Sequence, residues 1–201
     1  MNNCRFSIGA VVLAAGMSIR MGQPKLLMPW GSTTVIGKVI DTLIAAAVNP
    51  IVVVVGGSQE GIRRLLTGLP VVIVYNPHFA NGEMLESLQT GLKDIPDYVQ
   101  ASLMVLGDQP QILESTVRSV IARYQPDVPR LIIPSYRYRR GHPWLIPRKF
   151  WFEIMNLKPP LTLRDFLKQH TDEIDYLNVD NSSVLEDLDT PEDYQKYNPT
   201  H

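Results

Sequence analysis

Hydrophobic positions gather in short, β-branched runs: "IGAVVLA" (8–14), "IVVVV" (51–55), "VVIVY" (71–75), "SLMVLG" (102–107) and "RLIIP" (130–134). Their continuity, without polar alternation, predicts strands covered on both faces, as in a parallel sheet. Between them the period changes to that of a helix. "TTVIGKVIDTLIAAA" (33–47) puts Val35, Val39, Leu43 and Ala46 on one stripe. "ILESTVRSVIARY" (112–124) does the same with Leu113, Val117, Val120, Ile121 and Tyr124. This alternation predicts an α/β fold, a doubly wound and mostly parallel (mixed) sheet with helices on both faces. After residue 134 the rhythm breaks. "SYRYRRGHPWLIPRKF" reads as a hairpin or excursion, "PPLTLRDFLKQH" as a helix starting near Thr162, and "DEIDYLNVD" as a late strand. "TPEDYQKY" opens a helix with Thr190 as N-cap and Pro191 at the first helical position. No repeat, low-complexity tract or Gly/Ser linker divides residues 1–201, so one domain is expected.

Composition narrows the function classes. Hydrophobic residues make up 45% and charged residues 19%, an ordinary globular balance. The formal net charge of -1 gives no general attraction for nucleic acid or acidic lipid, so neither is expected as a partner, and phosphate binding requires a local site. Cys4 is the only cysteine, which excludes an intrachain disulfide and a CxxC motif and fits a reducing, cytoplasmic setting. No apolar run approaches the roughly 18 residues of a membrane span. "MNNCRFSIGAVVLAAG" has the look of a leader, but the basic, glycine-containing loop directly after it favours a strand.

That loop, "LAAGMSIRMGQPK" (13–25), follows the first predicted strand. In parallel α/β sheets ligands bind beyond the carboxyl ends of strands, where backbone N–H groups are free. Gly16 and Gly22 allow tight turns that bring main-chain donors against phosphate oxygens, and Arg20 and Lys25 add positive charge. The loop thus reads as a triphosphate cradle, or alternatively as a solvated basic turn. Its spacing fits neither the Walker A loop nor G-x-G-x-x-G.

The whole string resembles, position by position, the L-A-A-G-x-x-x-R-M-G-x-x-K signature of nucleotidyltransferases that include the molybdenum cofactor cytidylyltransferases and their guanylyltransferase relatives (the MobA/MocA-like group). Further segments resemble the same family in the same order: "NPHFANGEMLESLQTGL" (76–92), "LGDQP" (106–110), "RGHP" (140–143) and "DLDTPEDY" (187–194). One departure is an extra residue between Gly82 and Leu88, at Glu83-Met84. The resemblance implies a single-domain, Rossmann-like nucleotidyltransferase fold, with a nucleotide-binding half of about 1–110 and an acceptor-binding half of about 111–201. It implies transfer of CMP from CTP to the terminal phosphate of molybdopterin-bound molybdenum cofactor, with release of pyrophosphate. A molybdoenzyme or its maturation factor would receive the product.

Within this frame Arg20, Lys25 and Asp108 are the expected catalytic residues. Asp108, after a strand and before Gln109-Pro110, would hold Mg2+ (or Mn2+) against phosphate oxygens; read locally, it is also an Asp that makes a turn. Asp187, and after it Asp189, is the expected second metal ligand by resemblance, while Asp189 can equally stabilise the N-terminus of the following helix. Leu13, Ala14 and Ala15 would present backbone groups to the base. Relatives that use GTP have Gly where Ala15 stands, which by resemblance favours CTP. Gly16, Gly22, Lys25, Asn76, Gly82 and Ser87 complete the expected nucleotide contacts, although a helix serine often bonds only to its own backbone. Gly141, His142 and Pro143 fall on the acceptor side of the resemblance; a lone His is otherwise a hydrogen-bonded structural residue. Arg137, Arg139 and Arg140 would form a cationic rim for a phosphorylated acceptor, or a solvated charge run. Competing functions are a sugar-phosphate or other small phosphorylated-acceptor nucleotidyltransferase, guanylyl transfer to the same cofactor, and a non-catalytic cofactor carrier.

Overall fold

The computed structural model describes residues 7–81 and 84–199. Ten strands are present among the described residues: β1 (Ile8–Ala14), β2 (Pro29–Trp30), β3 (Thr33–Thr34), β4 (Ile51–Val55), β5 (Val72–Tyr75), β6 (Ala101–Leu106), β7 (Leu131–Tyr136), β8 (Arg139–Arg140), β9 (Trp144–Pro147) and β10 (Ile174–Asn178). Seven α-helices join or follow them: α1 (Val35–Ala45), α2 (Gln59–Leu65), α3 (Met84–Lys93), α4 (Glu114–Arg123), α5 (Trp151–Asn156), α6 (Leu163–Gln169) and α7 (Pro191–Tyr197). The main sheet runs β10-β7-β9-β6-β1-β4-β5, with β8 pairing β7, while β2 and β3 form a separate hairpin. The β1, β4, β5 and β6 pairings are parallel, as is β10 on β7. β9 runs antiparallel to both β6 and β7, between which it lies, and the short β8 is antiparallel to β7. Thus the predicted excursion after residue 134 is a short hairpin, β7–β8, followed by a return strand inside the sheet.

The continuous apolar strands follow from burial on both faces. Ala10, Val12, Val53, Val55, Leu103 and Val105 pack on one face with Val35, Val39 and Leu43 of α1, Ile62 of α2, and Val117 and Val120 of α4. Val11, Val52, Val54 and Met104 point the other way, to Leu85, Leu88 and Leu92 of α3, Ile154 of α5 and Phe166 of α6. The expected stripe on α1 is buried throughout, whereas Leu113 is 45% exposed because it is the N-cap of α4 and not part of its buried face. Thr162 and Thr190 each cap a helix through a reciprocal box with Asp165 and Asp193, and Pro191 sits at the start of α7 as expected. No helix among the described residues is long and apolar enough to cross a membrane.

Chain order determines where a ligand can bind. From β1 the sheet grows through β4 to β5, then returns to the opposite side of β1 with β6. Strand order therefore reverses beside β1, and the crevice lies beyond the carboxyl ends of β1 and β6.

Candidate active site

Two loops open into that crevice. After β1 the backbone turns at Ser18, with φ 54°, and at Gly22, with φ 65°, on either side of a short helical turn whose Met21 is buried. Gly22 is thus needed for its positive φ. The turn returns the chain so that the Lys25 N–H donates to Ser18 Oγ at 3.2 Å. Lys25 then extends across to the loop after β6. Its Nζ lies 2.6 Å from Asp108 Oδ2 and 3.3 Å from Asp189 Oδ1. Arg20 reaches the other oxygen of Asp189 at 2.9 Å.

Asp187 and Asp189 arrive from a distant part of the chain on a strap tied to the end of β6. The Leu188 N–H donates to the Asp108 carbonyl at 3.1 Å, and Leu188 is fully buried. Gln109 Nε2 donates to Asp187 Oδ1 at 2.6 Å, and Gln111 Nε2 donates to the Glu186 carbonyl. Beyond the strap, Tyr194 of α7 packs edge-on against Trp30 of β2, with its hydroxyl on the Pro29 carbonyl.

These pieces bound a cleft of about 440 Å³. Leu13, Ala15, Gly16, Arg20, Lys25, Ser87, Asp108, Asp187 and Asp189 line it, bringing together most of the residues singled out in the sequence. Ala14 lies buried beneath the lining. Asn76 stands behind it, buried, and its Nδ2 donates to Ser87 Oγ at 3.1 Å while its Oδ1 accepts from the His78 N–H. Gly82 lies outside the described residues. Sequence reasoning missed Met17, Ile19, Phe79, Met84 and Leu106, which give part of the cleft an apolar wall. An aromatic inside the turn-forming "NPHFANG" segment was the available signal for one of them, Phe79.

The cleft collects opposite charges. Lys25 and Asp108 are mostly withdrawn from water, with side chains 13% and 22% exposed, so their contact is stronger than a surface ion pair. Asp187 is open to the solvent of the cleft, yet its pKa is pushed up to about 6. The protein packed around its carboxyl is the main cause, followed by the nearby charge of Asp108; the Gln109 hydrogen bond pulls in the opposite direction. Asp108, Asp187 and Asp189 all line the cleft, but among the described residues no three such side chains already stand together as a metal site; one or two of these carboxylates suit Mg2+ or Mn2+ when phosphates and waters supply the other oxygens. Lys25 Nζ now lies between two of them.

The Gly141-His142-Pro143 turn is not part of the cleft lining. Gly141 lies against Val184, where a Cβ would come within 2.4 Å of the Val184 carbonyl oxygen, and the His142 N–H donates to that oxygen at 2.9 Å. The His142 ring stacks on Trp144, with centroids 5.0 Å apart and planes 12° from parallel. Its Nε2 is shut off from solvent and has no hydrogen-bond partner among the described residues. Burial holds its pKa down at about 4. The unfolded chain, with an ordinary His pKa near 6.5, therefore takes up this proton first as pH falls. Stability from the neutral ring is complete above about pH 6.5 and is lost toward pH 4, by about 2 kcal/mol given that the ring is not wholly buried. His142→Phe keeps the stack and removes the titration. Urea unfolding is expected to show the variant gaining on the wild type by that amount between pH 7 and pH 4; parallel pH profiles would contradict it. Arg137, Arg139 and Arg140 are exposed on the β7–β8 hairpin, without an ion pair among the described residues.

Comparison with known proteins connects this arrangement to a group of enzymes. The molybdenum cofactor cytidylyltransferase of Escherichia coli (strain K12) is 26% identical over 200 residues, covering 94% of each chain. The nicotine blue oxidoreductase of Paenarthrobacter nicotinovorans is 27% identical over 206 residues, covering 92% of this chain and 93% of the relative. The crystal structure of Rv0371c from Mycobacterium tuberculosis H37Rv superposes with a TM-score of 0.83 at 28% identity, over 95% of this chain and 97% of the other. The same mycobacterial protein in complex with manganese superposes with a TM-score of 0.77. With its residues 10–174 matching the MobA-like NTP transferase domain, the chain belongs to that family of nucleotidyltransferases.

Proposed function

We propose that the protein transfers CMP from CTP to the terminal phosphate of molybdopterin-bound molybdenum cofactor and releases pyrophosphate. The observation that carries the transfer is the ion cluster in the cleft, where Lys25 from the first loop meets Asp108 from β6 and Asp189 from the strap. The choice of CTP and of the pterin acceptor draws on the similarity to the Escherichia coli cytidylyltransferase and on Ala15 at the base edge of the cleft. Residues of about 1–110 would form the nucleotide half and those of about 111–201 the acceptor half, in a cytoplasmic protein that passes its product to a molybdoenzyme or maturation factor.

In this reading a terminal phosphate oxygen of the acceptor attacks the α-phosphorus, a new P–O bond forms, and the bond to pyrophosphate breaks in line. A phosphate monoester has its second pKa near 6 and is largely ionised at neutral pH, so no protein base is required. Positioning and charge neutralisation carry the reaction. The N–H groups of the first loop, with Arg20 and Lys25, hold the β- and γ-phosphates, and Lys25 also faces the α-phosphate. Leu13 and Ala15 meet the base, Ser87 contacts the nucleotide, and Asn76 fixes Ser87. Asp108 and Asp187, with Asp189, would hold Mg2+, which when bound supplies positive charge to the α-phosphate and the leaving group. Gly141, His142 and Pro143 shape the acceptor side as a turn held by the His142 N–H on the Val184 carbonyl and by the Gly141 N–H on the Pro134 carbonyl.

Purified protein with Mg2+ and molybdenum-loaded molybdopterin is expected to release pyrophosphate from CTP in preference to GTP and ATP, and only with acceptor present. A GTP preference would move it to the guanylyl branch, and turnover with a sugar phosphate alone would replace the acceptor. Ala15→Gly removes one methyl from the base edge and is expected to raise the GTP-to-CTP ratio of kcat/KM about tenfold, the scale of one carbon in an apolar pocket. An unchanged ratio would remove Ala15 from base selection.

A further inference from the structure

We infer that Lys25 holds the metal's place in the nucleotide-free protein, so that divalent metal and nucleotide enter as a coupled pair and each binds poorly alone. The inference rests on the reading of the cleft as a metal–nucleotide site, but not on which base or acceptor it takes.

The ammonium of Lys25 lies 2.6 Å from Asp108 and 3.3 Å from Asp189, the two loops that a cation would bridge. Arg20 occupies the remaining oxygen of Asp189. Asp187 accepts from the neutral amide of Gln109 and, among the described residues, forms no ion pair of its own. A metal ion arriving alone must therefore displace the ammonium of a side chain that is only 13% exposed and that is held by two acids at once, Asp108 and Asp189. A triphosphate arriving alone faces the converse problem. To grip it, Lys25 and Arg20 must leave their carboxylates, and three bare carboxylates would then face the phosphates. When metal and triphosphate arrive together, the metal takes the carboxylates and the side-chain cations take the phosphates, so every charge keeps an opposite partner. Coupling of this kind is reciprocal: whatever factor nucleotide adds to metal affinity, metal adds to nucleotide affinity.

The local backbone suits such an exchange. The Lys25 N–H is tied to Ser18 Oγ, so the main chain stays anchored while a four-carbon stem carries the charge between partners. Metal would then enter as its complex with the nucleotide.

The test reads binding and does not use turnover. Free Mn2+ is titrated by electron paramagnetic resonance into nucleotide-free wild type, Lys25→Met and Lys25→Arg, with unfolding midpoints measured for each. Lys25→Met is expected to bind Mn2+ at least tenfold more tightly than wild type, and Lys25→Arg to stay near wild type. Equal Mn2+ affinity in folded wild type and Lys25→Met would overturn the inference. Should Lys25→Met fail to fold, wild type with reductively methylated lysines provides the reading. Its Lys25 resonance, assigned from Lys25→Arg, is expected to stay fixed with Mg2+ alone and to move with Mg2+ and CTP; movement with the same concentration of Mg2+ alone would overturn the inference. Equilibrium dialysis with CTP, GTP and ATP separates the two ideas. Nucleotide binding that is equal in EDTA and in Mg2+ defeats the coupling alone, whereas absence of binding for all three defeats the nucleotide reading while the Mn2+ comparison still decides the role of Lys25.

Discussion

An Asp108→Asn protein is expected to fold normally and to lose about a thousandfold in kcat for pyrophosphate release, the upper range for removing one electrostatic group from a preorganised site. The substitution keeps the shape of the side chain, and the backbone carbonyl of Asp108 still accepts from Leu188, so the strap remains docked. What disappears is the charge at the end of β6. Lys25 keeps Asp189 as a partner, which limits the cost to stability. The measurement is steady-state pyrophosphate release beside a thermal unfolding midpoint. Turnover within a few-fold of wild type would remove Asp108 from the catalytic set, and unfolding of the variant would make its role structural.

The largest effect on stability is expected at Gly91. This residue sits in α3 where the helix lies against the sheet, and a Cβ there would come within 2.3 Å of Val11 Cγ1 and 2.9 Å of Val54 Cγ2. Both valines are wholly buried in adjacent central strands, and their branched side chains have little rotamer freedom with which to yield. Gly91→Val must therefore push α3 off the sheet, at a cost of about 3 kcal/mol, the upper end for overpacking a well-packed core. Gly91→Ala regains about 1 kcal/mol of helix propensity and is expected to lose less. The two effects separate in urea unfolding. Because Ser87 lies one turn earlier on the same helix, the Val variant is also expected to raise the KM for nucleotide. A Val variant as stable as wild type would mean that α3 rests less tightly than these distances require.

The parallel core was legible because its signal is local: β1, β4 and β6 are apolar on both faces, and α1 shows its period in a single window. The caps at Thr162 and Thr190 were legible for the same reason, since each box lies within three residues. The antiparallel insertion of β9 was not. "WLIP" is four residues ending in proline, and its place depends on pairing with β6, whose partner residues lie 40 to 46 positions earlier, and with β7 across a hairpin. Of the site, residue types and chain order were readable, which gave Lys25, Asp108 and the Asp187–Asp189 pair. Their mutual contacts were not, because they join positions 83 and 164 apart. The His142 side chain shows the same limit. Only the resemblance of its G-H-P segment put it on the acceptor side, whereas its ring stacks on Trp144 and its N–H is tied to the Val184 carbonyl, contacts that the local sequence does not show.

The strap also sets the order in which a newly made chain becomes competent. Lys25 leaves the ribosome 164 residues ahead of Asp189, and Asp108 is made while residues 109–201 are still unmade. The phosphate loop and the core strands β1, β4 and β6 can therefore be assembled while one wall of the cleft does not yet exist. Until Leu188 is buried and Asp187 and Asp189 swing in, a nascent chain has Arg20, Lys25 and Asp108 but lacks two of the carboxylates that line the cleft. Under the proposed function, turnover of nucleoside triphosphate is expected only after this last contact has closed.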